Sequence, residues 1–153
     1  MRAVIQRVKN ANVVIDGKIV GRCGIGFMIL FCAVEGDTES DVELLAKKTA
    51  NLRVFEDENC KMNKSILDID GEILCISQFT LAADTKKGNR PSYIHAAGHD
   101  VAIPLYDKFC ERMQELVGRE VKKGVFGADM QVSLVNDGPV TIILDTDVWN
   151  KKG

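Results

Sequence analysis

CISQFTLAA, residues 75–83, sets a strand-like apolar run beside polar groups that a strand does not need. Ile76, Phe79 and Leu81 suit a buried sheet, while Ser77, Gln78 and Thr80 place two hydroxyls and an amide within four positions. Polar side chains are costly to bury without partners, so such a cluster in an apolar strand points to a site. Its counterpart is NDGPVT, residues 136–141, where Gly138 and Pro139 interrupt what otherwise reads as two apolar strands, Met130 to Val135 and Val140 to Leu144. Proline has no N–H for a central ladder, and a Gly-Pro bond can be cis. The two stretches are expected to be halves of one site. The plain alternative is that SQFTL is a strand with outward-facing polar residues and NDGPVT a hairpin turn.

Immediately upstream, Ile66 to Ile69 and Glu72 to Ile76 flank Asp70-Gly71 as an expected hairpin, preceded by a loop at FEDENCKMNK, residues 55–64. At the start of the chain, Ala3 to Val8 and Ala11 to Ile15 are β-branched runs, and Asp16-Gly17 before Lys18-Ile19-Val20 is a hairpin signal. FMILFCAV, residues 27–34, is too short to cross a membrane as a helix and suits a strand buried on both faces. The glycines of Gly24-Ile25-Gly26 precede that strand, whereas a phosphate-binding loop should precede a helix. Asp37 or Thr38 can cap a helix whose apolar face is Val42, Leu45, Ala46, Thr49 and Leu52. Its charged residues read as a solvated face.

Downstream, Pro104 sits early in a second helical pattern, Val101 to Val117, which carries Leu105, Phe109, Met113 and Leu116 on one face and stops at Gly118. Residues 149–153 read as a polar terminus. Clusters of adjacent strands, without strict β-α alternation, predict a mixed α and β fold over one domain, residues 1–153. Its sheets are expected to be mixed or antiparallel, barrel-like or two-layered, with two helices on one face.

At 153 residues the chain can bury roughly 70% of its unfolded surface. Composition is that of a soluble globular protein, with 46% hydrophobic and 27% charged residues. A formal net charge of -2 and a pI near 5.7 do not draw the whole molecule to nucleic acid, so such a partner must meet a local patch, and DNA is not expected. Five widely spaced cysteines, without a C-x-x-C pair, favour reduced thiols and a cytoplasmic setting. No stretch approaches the ~20 apolar residues of a membrane span.

The basic loop DTKKGNRPSY, residues 84–93, holds Lys86, Lys87 and Arg90, and reads either as a solvated loop or as phosphate contacts for an anionic substrate. His95 and His99 have metal-compatible spacing, yet no third ligand or H-E-x-x-H pattern joins them, so no metal or cofactor is expected. No G-x-S-x-G elbow surrounds Ser77, and an unassisted Thr80 is a weak nucleophile. What remains is a donor set of hydroxyls, an amide and strand-end N–H groups, suited to stabilising an oxyanion. That suffices for a substrate already labile or one bringing its own catalytic group. A non-catalytic RNA-end or nucleotide-binding module, and a hydrolase using Cys75 or Ser77 as nucleophile, are the rival readings.

SQFTL together with NDGPVT resembles the paired signature of the D-aminoacyl-tRNA deacylase family. RAVIQRVKNANVVIDG, KGNRPSY and IPLYDKF follow in family-like order along the whole chain. The resemblance implies that family's fold and a homodimeric, metal-independent esterase. Such an enzyme cleaves the bond between a D-amino acid, or glycine, and the 3′-terminal adenosine of tRNA, as chiral proofreading in translation. It implies a cis Gly138-Pro139 unit reaching into the partner subunit's pocket, where its backbone clasps the α-amino group and excludes an L side chain. Ser77, Gln78, Phe79 and Thr80 would line the pocket and contact the adenosine and the ester. Asn136 belongs to the loop motif, Met130 would line the pocket, and Arg7 would hold the Gly-Pro loop. Chemistry would rest on backbone atoms and the 2′-hydroxyl of the tRNA, or on Thr80 as nucleophile. A single-stranded CCA end needs stacking and a few phosphate contacts, for which Lys86, Lys87 and Arg90 are the candidates.

Overall fold

The computed structural model describes residues 1–150, so the polar terminus expected at 149–153 lies outside the described residues from 151 onward. β1 (Arg2–Ile15) is the strand around which the sheet is built, long enough to meet two neighbours along one edge and a third along the other. Its second half pairs antiparallel with β2 (Lys18–Cys23) through the Asp16-Gly17 turn, where both residues have positive φ (50° and 76°) as a tight two-residue hairpin requires. Its first half pairs antiparallel with β3 (Gly26–Cys32), and β8 (Gln131–Asp145) runs along the opposite edge. The sheet continues from β3 to parallel β6 (Glu72–Ser77) and the short β7 (Lys122–Lys123). β2 returns towards β7 so closely that a Cβ on Gly21 would lie 2.9 Å from the Lys123 carbonyl, and the mixed sheet is nearly closed into a barrel.

β3 is buried on both faces because each face meets a different core. Phe27, Ile29 and Phe31 pack with Ile73 and Cys75 of β6 against the helices, whereas Met28 packs inward with Leu74, Ile76, Val8 and Val13. The helical layer is α1 (Glu39–Asn51) and α2 (His99–Val117), which pack on each other on one side of the sheet. α1 begins where the Asp41 carboxylate accepts the Thr38 N–H at 2.9 Å. α2 tolerates Pro104 in its early turns and stops at Gly118, whose φ of 73° is the left-handed helix ending that glycine favours. Arg112 clamps the helices through Glu43, at 2.7 Å and 3.0 Å.

Three local expectations change. The loop expected at 55–64 contains a small hairpin, β4 (Phe55–Glu56) with β5 (Met62–Lys64), organised by Asp57, whose carboxylate accepts the Asn59 and Lys61 N–H groups. The hairpin expected about Asp70-Gly71 is absent; residues 65–70 form turns, with the Asp68 carboxylate accepting the Ser65 N–H and the Gly71 N–H donating to Ile66, and Ile66 is a buried plug. Residues 130–144 are not two strands about a break. They belong mostly to the single strand β8, with residues 137–140 bulging opposite Arg7 alone, since Asn136 pairs with Val8 and Thr141 with Gln6. α3 (Thr146–Asn150) closes the described chain.

Candidate active site

β6 carries the chain between the two cores and ends at Ser77. The Gln78 N–H still donates to the Phe31 carbonyl at 2.7 Å, after which Phe79–Ala82 turns as a short 3₁₀ helix, with the Leu81 N–H donating to Gln78 and that of Ala83 to Thr80. Residues 77–81 are therefore not one strand, as their apolar alternation suggested. Phe79, expected in the sheet, is 52% exposed because the turn swings it away from both cores.

This strand end opens into a cavity of about 390 Å³. Ile76, Ser77, Gln78 and Phe79 form one wall, Met130 and Val132 at the start of β8 a second, and Phe126 to Asp129 with His99 a third. Thr80 stands behind this lining, its Oγ1 accepting from Gln78 Nε2 at 2.5 Å, so the hydroxyl positions the amide. Met130 is held by its surroundings: a Cβ on Gly124 would lie 2.5 Å from the Met130 sulfur and 3.2 Å from Ile76. His99 packs edge-on against Phe126 at 5.4 Å, and Phe126 in turn against Tyr106. That ring is positioned by aromatics, not by a carboxylate as a catalytic triad requires. Cys75 is fully buried and burial pushes its thiol well above its ordinary value, with Cys110 adding to the effect, so it is not poised as a nucleophile.

Gly138 and Pro139 lie elsewhere. Both are exposed, their peptide bond is cis, and neither lines the cavity of its own chain. The bulge is held from behind by Arg7, which is 6% exposed: Nε donates to the Asp137 carbonyl at 3.0 Å and Nη1 to the Val54 carbonyl at 2.6 Å. Asn136 closes the turn, its Oδ1 accepting the Val140 N–H at 3.3 Å and its Nδ2 donating to Thr141 Oγ1 at 3.1 Å. Gly138 has a φ of 125°, a backbone conformation that favours glycine, and a Cβ there would sit 2.8 Å from Arg7 Nη2, so a side chain would also displace the guanidinium. Lys86, Lys87 and Arg90 are exposed on a loop closed by reciprocal Asp84–Ser92 backbone bonds of 2.8 Å and 2.9 Å.

The D-Tyr-tRNA(Tyr) deacylase family matches residues 4–145. This chain belongs to that family. It is 60% identical to the D-aminoacyl-tRNA deacylase of Phocaeicola vulgatus, covering 95% of this chain and 97% of that protein, and 58% identical with the same coverage to that of Bacteroides fragilis. Among solved structures, the c-Myc DNA Unwinding Element Binding Protein superposes with a TM-score of 0.90 at 42% identity, covering 95% of this chain and 98% of the other. A probable eukaryotic D-amino acid tRNA deacylase has a TM-score of 0.79 at 18% identity, covering 94% and 97%, and shares the deacylase-family fold.

Within one chain the structure thus groups Ser77, Gln78, Phe79 and Met130 at the cavity, places Thr80 just behind it, and leaves Asn136, Gly138 and Pro139 with Arg7 on a separate projection. The cavity wall at His99 and at Phe126 to Asp129 was missed in the sequence. VFGAD has neither strand nor helix periodicity, and its one local signal is Gly127, at a φ of 79°.

Proposed function

We propose that this protein hydrolyses the ester between a D-amino acid, or glycine, and the 3′-terminal adenosine of tRNA, sparing L-aminoacyl-tRNA. The observation that carries this reading is the end of β6, which turns its Ser77-Gln78-Phe79 segment into a cavity beside Met130 in a chain of the deacylase family. An aminoacyl ester is already activated, so several oriented donors acting together can suffice without a triad. The substrate's 2′-hydroxyl lies beside the ester and supplies the proton traffic, so the reaction needs no Ser-His-Asp triad.

Chirality is selected by the Gly138-Pro139 projection of a second subunit. In a homodimer it enters the partner's cavity, offers its backbone to the α-amino group and occupies the space an L side chain would need. The exposure of that projection, its anchoring by Arg7 and its absence from the lining of its own chain's cavity all support a role across an interface.

The test is release of amino acid from D-tyrosyl-tRNA and L-tyrosyl-tRNA, side by side, with and without EDTA. Turnover of the D ester alone, unaffected by EDTA, is expected; equal hydrolysis of both would leave an esterase without a proofreading role. A second reading, a nucleic-acid-binding module without turnover, draws on the name of the 42% identical DNA-element-binding relative. tRNA binding without release of either amino acid would favour it.

A further inference from the structure

Phe79, which lines the cavity, is 52% exposed, and Tyr93, which packs on it, is 39% exposed; neither belongs to the two cores. The rings of Phe79 and Tyr93 meet edge to face at 5.0 Å, so Tyr93 extends the cavity rim outward by one aromatic side chain. This arrangement is fixed before any ligand arrives. The Ser92 N–H and carbonyl bond to Asp84, the His95 carbonyl accepts the Glu35 N–H at 2.9 Å, and the Ala97 N–H donates to Ala33 at 3.1 Å, tying both flanks of Tyr93 to the body of the fold.

The loop that ends in Tyr93 is also charged. Residues 84–93 carry Lys86, Lys87 and Arg90 against the single carboxylate Asp84, in a protein whose net charge is -2. Asp84 is already engaged: it accepts the Lys86 N–H at 2.9 Å and faces His95 at 3.5 Å. Among the described residues none of the three cations forms an ion pair within 4 Å, which leaves them open to an external anion. A partly exposed aromatic ring on the segment that also carries exposed cations is the combination that single-stranded nucleic acid uses, with bases stacked on rings and phosphates meeting positive charge.

We propose that Tyr93, buttressed by Phe79, is a stacking ledge for the base of the nucleotide that precedes the terminal adenosine of a single-stranded RNA 3′ end, with Lys86, Lys87 and Arg90 meeting its phosphates. This rests on the reading of the cavity as the seat of that adenosine. The ledge then acts as a specificity element, separating a CCA end from a free aminoacyl nucleoside.

The test is fluorescence anisotropy of a 5′-labelled RNA tetranucleotide ending in CCA, against the same oligonucleotide with an abasic site before the terminal adenosine. Tyr93→Leu keeps the apolar bulk and removes the ring; it should weaken binding of the CCA oligonucleotide roughly five- to a hundredfold, while Tyr93→Phe retains it. The abasic oligonucleotide should bind the unsubstituted protein with a similar loss and show no further loss with Tyr93→Leu. Unchanged binding by Tyr93→Leu, additive losses, or no binding of the CCA oligonucleotide by the unsubstituted protein would overturn the ledge. So would an altered oligomeric state of Tyr93→Leu, which would make Tyr93 a subunit contact. Tyr93-dependent binding without turnover of D-tyrosyl-tRNA would sink the deacylase reading and leave the ledge standing.

Discussion

The end of β6 and the bulge of β8 are both polar interruptions of apolar strands, yet the fold treats them in opposite ways. Ser77 and Gln78 are half-buried, turned inward, and line a cavity that their own chain builds. Gly138 and Pro139 are exposed on a projection whose root, Arg7, is buried and whose tip does not line that cavity. A polar cluster that faces its own cavity can be understood from one chain. An exposed tip braced by Arg7 that lines no wall of this cavity is the feature on which the proposed role across a subunit interface rests.

The largest expected effect breaks the root of the projection. Arg7→Ala leaves the Asp137 and Val54 carbonyls without their buried charged donor and should cost about 3 kcal/mol, on the order of 10 °C in thermal midpoint. An unchanged midpoint in thermal unfolding would show that the projection does not depend on it. Gly138→Ala should cost about 1–3 kcal/mol through its backbone conformation and its approach to Arg7, and should lower turnover of the D ester more than stability alone explains.

On the cavity side, Gly124→Ala drives a methyl group into Met130 and Ile76, and should cost about 1–2 kcal/mol while raising KM for D-tyrosyl-tRNA more than it lowers kcat. Smaller still, Ser77→Ala should lower kcat/KM by no more than about tenfold, because the hydroxyl is one donor among several. Cys75→Ala should leave the rate near that of the unsubstituted protein. The raised Cys75 thiol stays protonated well beyond its ordinary range, so the pH profile of kcat/KM should show no rising limb at an ordinary thiol value; a limb there that vanishes in Cys75→Ala would restore the thiol as nucleophile.

Much of the frame was legible because local chemistry and tertiary context agree in it. Asp16-Gly17 permits the positive φ of its turn, Val42, Leu45 and Ala46 keep helical period on the buried face of α1, and Gly118 ends α2. FEDENCKMNK concealed a hairpin because its strands are two and three residues long and its order comes from the Asp57 side chain, which leaves no period to read. Ile66 looked like strand and is a plug under a turn fixed by Ser65 and Asp68. At the site, Ser77 and Gln78 stood out as polar groups in an apolar run, while the inward or outward fate of Phe79 depended on a turn that alternation cannot show. His99 and Phe126 reach the cavity only because α2 and the segment before β8 converge there, a long-range fact without a local signal.

Whether the two interruptions form one site across two subunits is tested most directly with hybrid dimers. One chain would carry Ser77→Trp, which fills the cavity, and the other, differently tagged, Gly138→Ala, which disables the projection; each alone should be nearly inactive on D-tyrosyl-tRNA. In a hybrid, an intact cavity faces an intact projection at one of the two symmetry-related sites, so purified hybrids should recover about half the turnover of unsubstituted dimers. Hybrids no more active than either parent would contradict composition of the site across the interface.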